Sequence, residues 1–204
     1  MIIEQLTNQL SKFREAIYGS FEYLGDATMD LLDALSSNQS AKSVVELSLN
    51  TLFRRNYSSI NEVIDQYFEG KGKEQAKQQR LEQEKSQLQI IAEAVPKVAR
   101  RRFHLLATDV TPQPRPFAET LADRKVVHAP NAVLSNKPIA IGHEYSHLVY
   151  LPEKESNLSP PWVVPLSVRR VGSQENGLAV GLSQLAAVLQ EPKLPFAQQL
   201  TVHV

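Results

Sequence analysis

The sequence predicts an α/β protein, α+β overall, with a helical N-terminal region followed by a mixed sheet that carries a crossover helix. Proline divides the 204-residue chain. None occurs before Pro96 and all twelve lie from there onward, so only the first half is free to be helical throughout. Beyond Pro96, short β-branched and aromatic runs alternate with Pro, Asn and Ser turns. Near the end, a helical stretch separates two strand-like runs, the order of a crossover connection. The predicted regions are 1–95, helical, and 96–204, built on a sheet.

Leu6, Leu10, Phe13 and Ile17 recur at helical spacing and give the first helix. Met29, Leu31, Leu32 and Leu35 give a second, with Asp26 placed to cap it. A third pattern runs over about 42–53. A fourth helix starts at Tyr57-Ser-Ser-Ile60, where Ser59 and Glu62 have capping-box spacing. From Lys71 onward comes a charged, glutamine-rich helix with sparse apolar positions (Ala76, Leu81, Leu88, Ile91, Val95). That pattern suits a solvated face or a strut, the alternatives being a coiled coil or a DNA contact.

Strands are expected at 103–107, 125–128, 138–151 and 162–171. A helix over 176–190 follows, with Leu178, Leu182, Leu185 and Leu189 on one face. Its Gly177 and Gly181 cost helix stability but permit close packing on a sheet. Residues 200–204 form the last expected strand.

Hydrophobic residues make up 42% of the chain, enough for a core. Acidic and basic residues balance at 22 each, so no global field points to nucleic acid or membrane, although a local patch is compatible. The absence of cysteine excludes disulfides and Cys-based zinc sites. The first residues lack the basic head and apolar centre of a signal peptide, and no run approaches the ~20 apolar residues of a membrane helix. A soluble, cytoplasmic protein is expected, with no membrane partner.

The strongest candidate for chemistry is Asp109, which Phe103-His-Leu-Leu-Ala-Thr-Asp-Val-Thr-Pro112 delivers to the far end of an apolar run. Aspartate is depleted inside strands. The tip of a central strand is where open α/β sheets place chemistry. Lys97, Arg100, Arg101 and Arg102 crowd the approach as a candidate DNA-binding patch. A carboxylate beside cations suits a metal ion working on a phosphate backbone. The competing reading makes Asp109 the cap of a turn at Val110-Thr111-Pro112.

His143-Glu-Tyr-Ser-His147 matches the zinc-protease pattern, which requires a helix to bring both His to one metal. Its neighbours are strand formers, and in a strand the two His stand about 13 Å apart, too far to share an ion. The glycines form no phosphate loop, and no strand–Ser–helix elbow surrounds Ser146. His104 and His128 read as strand residues with satisfied ring nitrogens. Glu175 suits the dipole at the start of the late helix.

Taken in order, several segments resemble the DDE transposases of bacterial insertion sequences, which have a ribonuclease-H-like core. They are Arg102-Phe103, Ala107-Thr-Asp-Val-Thr-Pro112, Pro114-Arg115, Asp123-Arg124, Asn136-Lys-Pro-Ile139, Gly142-His143, Tyr145-Ser146, Leu151-Pro-Glu153, Trp162, Pro165-Leu-Ser167 and Arg170-Val171. The helical half, including Asn56-Tyr-Ser-Ser-Ile60, looks like the region where such proteins place DNA-end recognition.

The resemblance implies that Asp109 is the first carboxylate of a catalytic triad and a ligand to Mg²⁺. It also implies insertion-sequence DNA as partner, DNA cleavage and strand transfer as activity, and a homodimer as a candidate assembly. The chain departs from the pattern, however. Asp123 is the only aspartate after Asp109, and nothing matches the family's second Asp or its Glu before Val204. The expectation is therefore a truncated transposase, an N-terminal part with an incomplete ribonuclease-H-like sheet and no activity alone. The alternative is a non-catalytic DNA-binding or interaction protein derived from one.

Overall fold

The computed structural model describes residues 2–68, 73–129, 138–154 and 162–204, without the side chains of 2, 67–68 and 73–81. Lys71, Gly72, Asn136 and Lys137, and the side chains of Ala76 and Leu81, thus lie outside the described residues. The chain forms two compact units, Met1–Ile90 and Ile91–Val204. No described helix is long and apolar enough to cross a membrane.

The first unit contains α1 (Ile2–Gly19), α2 (Gly25–Ser36), α3 (Val44–Leu47) and α4 (Tyr57–Phe68). Ala27, Leu31, Ala34, Leu47, Phe53, Ile60 and Val63 form its core. Helix α1 leaves Leu6 and Leu10 exposed. Polar contacts tie it to α2: Arg14 donates to both Asp33 oxygens, at 2.5 and 2.9 Å, and Tyr18 donates to Asp26 at 3.1 Å. On α2, Asp30 is buried and accepts from Arg54 at 3.0 Å and Arg55 at 3.1 Å.

Several predicted helix starts move. Asp26 lies inside the first turn of α2 and does not cap it, because Leu24 takes the cap position in a left-handed conformation (φ 53°). The pattern over 42–53 yields only one helical turn. Ser43 caps it by accepting from the Glu46 amide at 3.1 Å, while the Glu46 carboxylate accepts from the Lys42 amide at 2.6 Å. Ser59 also falls inside a helix, with its amide donating to the Asn56 carbonyl, so Asn56 marks the start of α4.

Helix α5 (Lys73–Ala94) leads into the second unit, whose strands are β1 (His104–Pro114), β2 (Lys125–His128), β3 (Ile139–Tyr150), β4 (Val164–Val171) and β5 (Thr201–His203), with α6 (Gly177–Gln190) before β5. They make one five-stranded mixed sheet. β3 is its spine: β1 pairs along one edge, and β2 and β4 share the other, all antiparallel. After α6, β5 adds parallel to β1, from His104↔Thr201 to Leu106↔His203. Strands, crossover helix and parallel strand follow in the predicted order.

β1 runs well beyond its predicted end, through two prolines. Its even-numbered amides face β5, His104 donating to Leu200 and Thr108 to Val204. Pro112 and Pro114 sit at even positions past the reach of β5, where no donor is needed.

Helix α6 packs on the sheet, but not with the predicted leucine face. Val180, Gly181, Gln184 and Val188 are buried, whereas Leu178 and Leu182 are exposed. The reason is close approach. A Cβ on Gly177 would lie 2.8 Å from a Val110 methyl, and one on Gly181 2.8 Å from the Thr108 methyl. Only the glycine stripe lets the helix axis come this near the strands.

His104 is a core residue, as predicted. Its ring meets the Gln199 amide oxygen at 2.8 Å and the Tyr150 hydroxyl at 3.3 Å, with Phe196 packed edge-on against it. His128 differs: it is exposed on β2 and has no side-chain hydrogen bond among the described residues.

Candidate functional site

Alternation along β1 decides which residues can act together. Thr108 and Val110 lie beneath α6, so Ala107, Asp109 and Thr111 point to the opposite face. Register carries that face across the sheet. Asp109 stands opposite His147, which stands opposite Val168. In the next row Thr111 stands opposite Tyr145, and Tyr145 opposite Arg170.

Asp109 is therefore neither at a strand tip nor capping a turn. β1 continues five residues further, to Pro114, and residues 110–112 are paired with β3. The Asp109 side chain is exposed and makes no hydrogen bond or ion pair among the described residues. Beyond Thr108 the β5 edge of β1 has no partner strand among the described residues, so the carboxylate sits beside an open edge. An unpaired aspartate inside a strand contributes little to folding, which leaves its oxygens free for a ligand.

The second aspartate singled out in the sequence is engaged. Asp123, itself in a left-handed conformation (φ 56°), accepts from the Ser173 amide at 3.0 Å and from Arg170 at 3.1 Å. Hydrogen bonding from Ser173, with the charges of Arg170 and His143, holds its carboxyl below the usual range. Asp123 thus latches the 115–124 loop to the turn after β4. Glu175 reinforces that turn by accepting from the Gly172 amide at 2.8 Å, and Asn176 caps α6 by accepting from the Leu178 amide.

His143 to His147 lies wholly within β3, so the two rings are four strand residues apart. His143 is buried and its Nε2 is 2.9 Å from the Ala122 carbonyl. Ser146 faces α6, on the other side of the sheet from both histidines, and cannot form a nucleophile–base pair with either. There Gln184 donates to the Ser146 carbonyl at 3.1 Å and to the Ser167 hydroxyl at 2.9 Å.

The basic patch separates into two roles. Lys97, Arg100 and Arg102 are exposed. Arg101 is half-buried: it donates to the Leu151 carbonyl at 2.5 Å, pairs with Glu153 at 3.8 Å and lies over the Phe103 ring. Glu153 accepts from the backbone amides of Ala99, Arg100 and Arg101. Those amides, with the Arg101 charge, hold its carboxyl down at about 2. The sequence marked Glu153 only as part of a resembling segment. Its anchoring role needs the approach of residues 97–101, which no local pattern signals.

For a metal, the donor chemistry is limited. Among the described residues Asp109 offers one unpaired carboxylate, and no three His, Asp or Glu gather at one point. These residues fit a single divalent ion with most of its coordination open; they do not by themselves fit a two-metal clamp, which takes carboxylates from more than one side.

A family model described as DDE superfamily endonuclease matches residues 18–191. No curated protein and no solved structure matches the chain.

Proposed function

The chain belongs to the DDE superfamily endonucleases, and from that premise we propose that it is part of a transposase acting on insertion-sequence DNA. Asp109 is the first carboxylate of the metal site. The observation that carries this reading is an exposed carboxylate, unpaired among the described residues, in the middle of β1 and on the face away from α6. A divalent ion, Mg²⁺ in this proposal, supplies Lewis-acid stabilisation of charge on a phosphodiester.

The chain's own residues have simpler tasks. β1 and β3 hold Asp109 on a rigid platform, Asp123 pairs with Arg170 two strands away, and Lys97, Arg100 and Arg102 attract the DNA backbone. The helical residues 1–95 recognise DNA ends, and the working form is a cytoplasmic homodimer. One carboxylate does not make a two-metal clamp, and in this reading the chain alone is inactive. Purified protein is expected to show no Mg²⁺-dependent nicking of insertion-sequence ends. Nicking that disappears in Asp109→Ala would refute the inactivity while upholding the role of Asp109.

A second reading, a non-catalytic DNA-binding protein, is favoured by the exposure of Lys97, Arg100 and Arg102. Both readings expect DNA affinity to fall steeply with salt. Arg100→Ala with Arg102→Ala should flatten the slope of log affinity against log salt by about 2, one per lost phosphate contact. Arg101 is left out because its side chain supports the fold. An unchanged slope in the double variant, measured by fluorescence anisotropy, would remove the patch from the interface.

A further inference from the structure

Building on the reading of Asp109 as a metal ligand, we infer that His147 is a second protein ligand to the same ion. The resulting Asp–His pair favours a first-row transition-metal ion such as Mn²⁺ or Zn²⁺ over Mg²⁺. Asp109 and His147 are direct partners in the β1–β3 register. Directly opposed residues hold their Cβ atoms about 5 Å apart. A carboxylate oxygen and a ring nitrogen each bind such an ion at about 2.0–2.2 Å, so one ion can bridge the pair.

Both side chains lie on the face away from α6, and neither has a hydrogen bond or ion pair among the described residues. On the far side of His147 stands Val168, exposed and without a donor. The ion would therefore keep open positions, as an ion that meets substrate requires. Imidazole suits transition metals, whereas Mg²⁺ prefers oxygen and its own waters. The sequence pattern His143 to His147 then has a metal role after all, but it works across the sheet. His147 pairs with Asp109, while His143 is occupied by the Ala122 carbonyl.

The test is pulsed electron paramagnetic resonance on the full chain loaded with Mn²⁺, with binding measured by calorimetry. The wild type should show a directly bound ¹⁴N. His147→Gln should lose that coupling, weaken Mn²⁺ binding by about tenfold or more and bring the Mn²⁺/Mg²⁺ preference down with it. His128→Gln, at an exposed position on β2, should keep the coupling, and Asp109→Asn should abolish binding. If Asp109→Asn abolishes binding but the wild type shows no nitrogen, or His147→Gln retains it, the inference fails and the role of Asp109 stands. If Mn²⁺ does not bind, or binds equally well in Asp109→Asn, both fail. His147→Asn, assayed beside His147→Gln with thermal melts, separates ligand loss from misfolding.

Discussion

Gly142→Ala is expected to cost the second unit about 3 kcal/mol or more and to lower its melting temperature by roughly ten degrees or more. Gly142 lies where β3 is paired on both edges, with Pro114 of β1 on one side and Lys125 of β2 on the other. A Cβ there would stand 2.2 Å from the Gln113 carbonyl oxygen and 3.0 Å from the Pro114 Cα. Those atoms are backbone, so no rotamer change can relieve the overlap. Relief requires β1 and β3 to separate, which endangers the bond from the Arg115 amide to the Ile141 carbonyl and, with it, the register that sets Asp109 beside His147. Gly19→Ala is the matched control, since a Cβ at Gly19 meets nothing within 4 Å. Calorimetric melts of the two variants decide the matter. A Gly142→Ala protein melting within a degree or two of wild type would mean that the strands do not approach this closely.

Glu153→Gln should destabilise the protein at neutral pH and remove part of its acid sensitivity. The Glu153 carboxyl has a folded pKa of about 2 against an ordinary 4.5. A lowered folded pKa means that the unfolded chain binds the proton first as pH falls. The stabilisation is complete above about pH 4.5 and is lost progressively as pH drops towards 2. The main cause is acceptance from the Arg101 amide, then from Arg100, with Ala99 and the Arg101 charge adding less. Neutralising the side chain weakens all of these together and loosens the segment that presents Lys97, Arg100 and Arg102. Asp33 and Asp123 are also held below their usual range, so the variant's stability profile should flatten without becoming level. Melting temperatures of wild type and variant from pH 7 to pH 3 should converge as pH falls. Parallel curves would show that Glu153 does not carry the charge-dependent anchoring.

The legible parts of this protein were those with a strong local signature. Proline distribution separated helical from strand-forming sequence, and β-branched runs located β2, β3 and β4 to within a few residues. Gly177 and Gly181 are the close-packing device that their place in the helix suggests, yet the neighbouring leucines point to the wrong buried face. Periodicity identifies an apolar stripe but not which of two stripes will meet a sheet. The end of β1 is hidden in the sequence because Val110-Thr111-Pro112 looks like a turn but is strand. Its prolines are tolerated only because their missing donors face an edge beyond the reach of β5.

The candidate site divides in the same way. Residue type and order along the chain carry the mixed architecture, the family resemblance matched by a family model over residues 18–191, and the prominence of Asp109. Which residues share its surroundings comes from the folded sheet. It put His147 directly opposite Asp109, turned Ser146 to the other face, and paired Asp123 with Arg170. Residue type and spacing act along one segment, whereas strand register and the side on which α6 packs are fixed by pairing between segments distant in sequence. A one-residue shift in that register would send every one of these side chains to the opposite face.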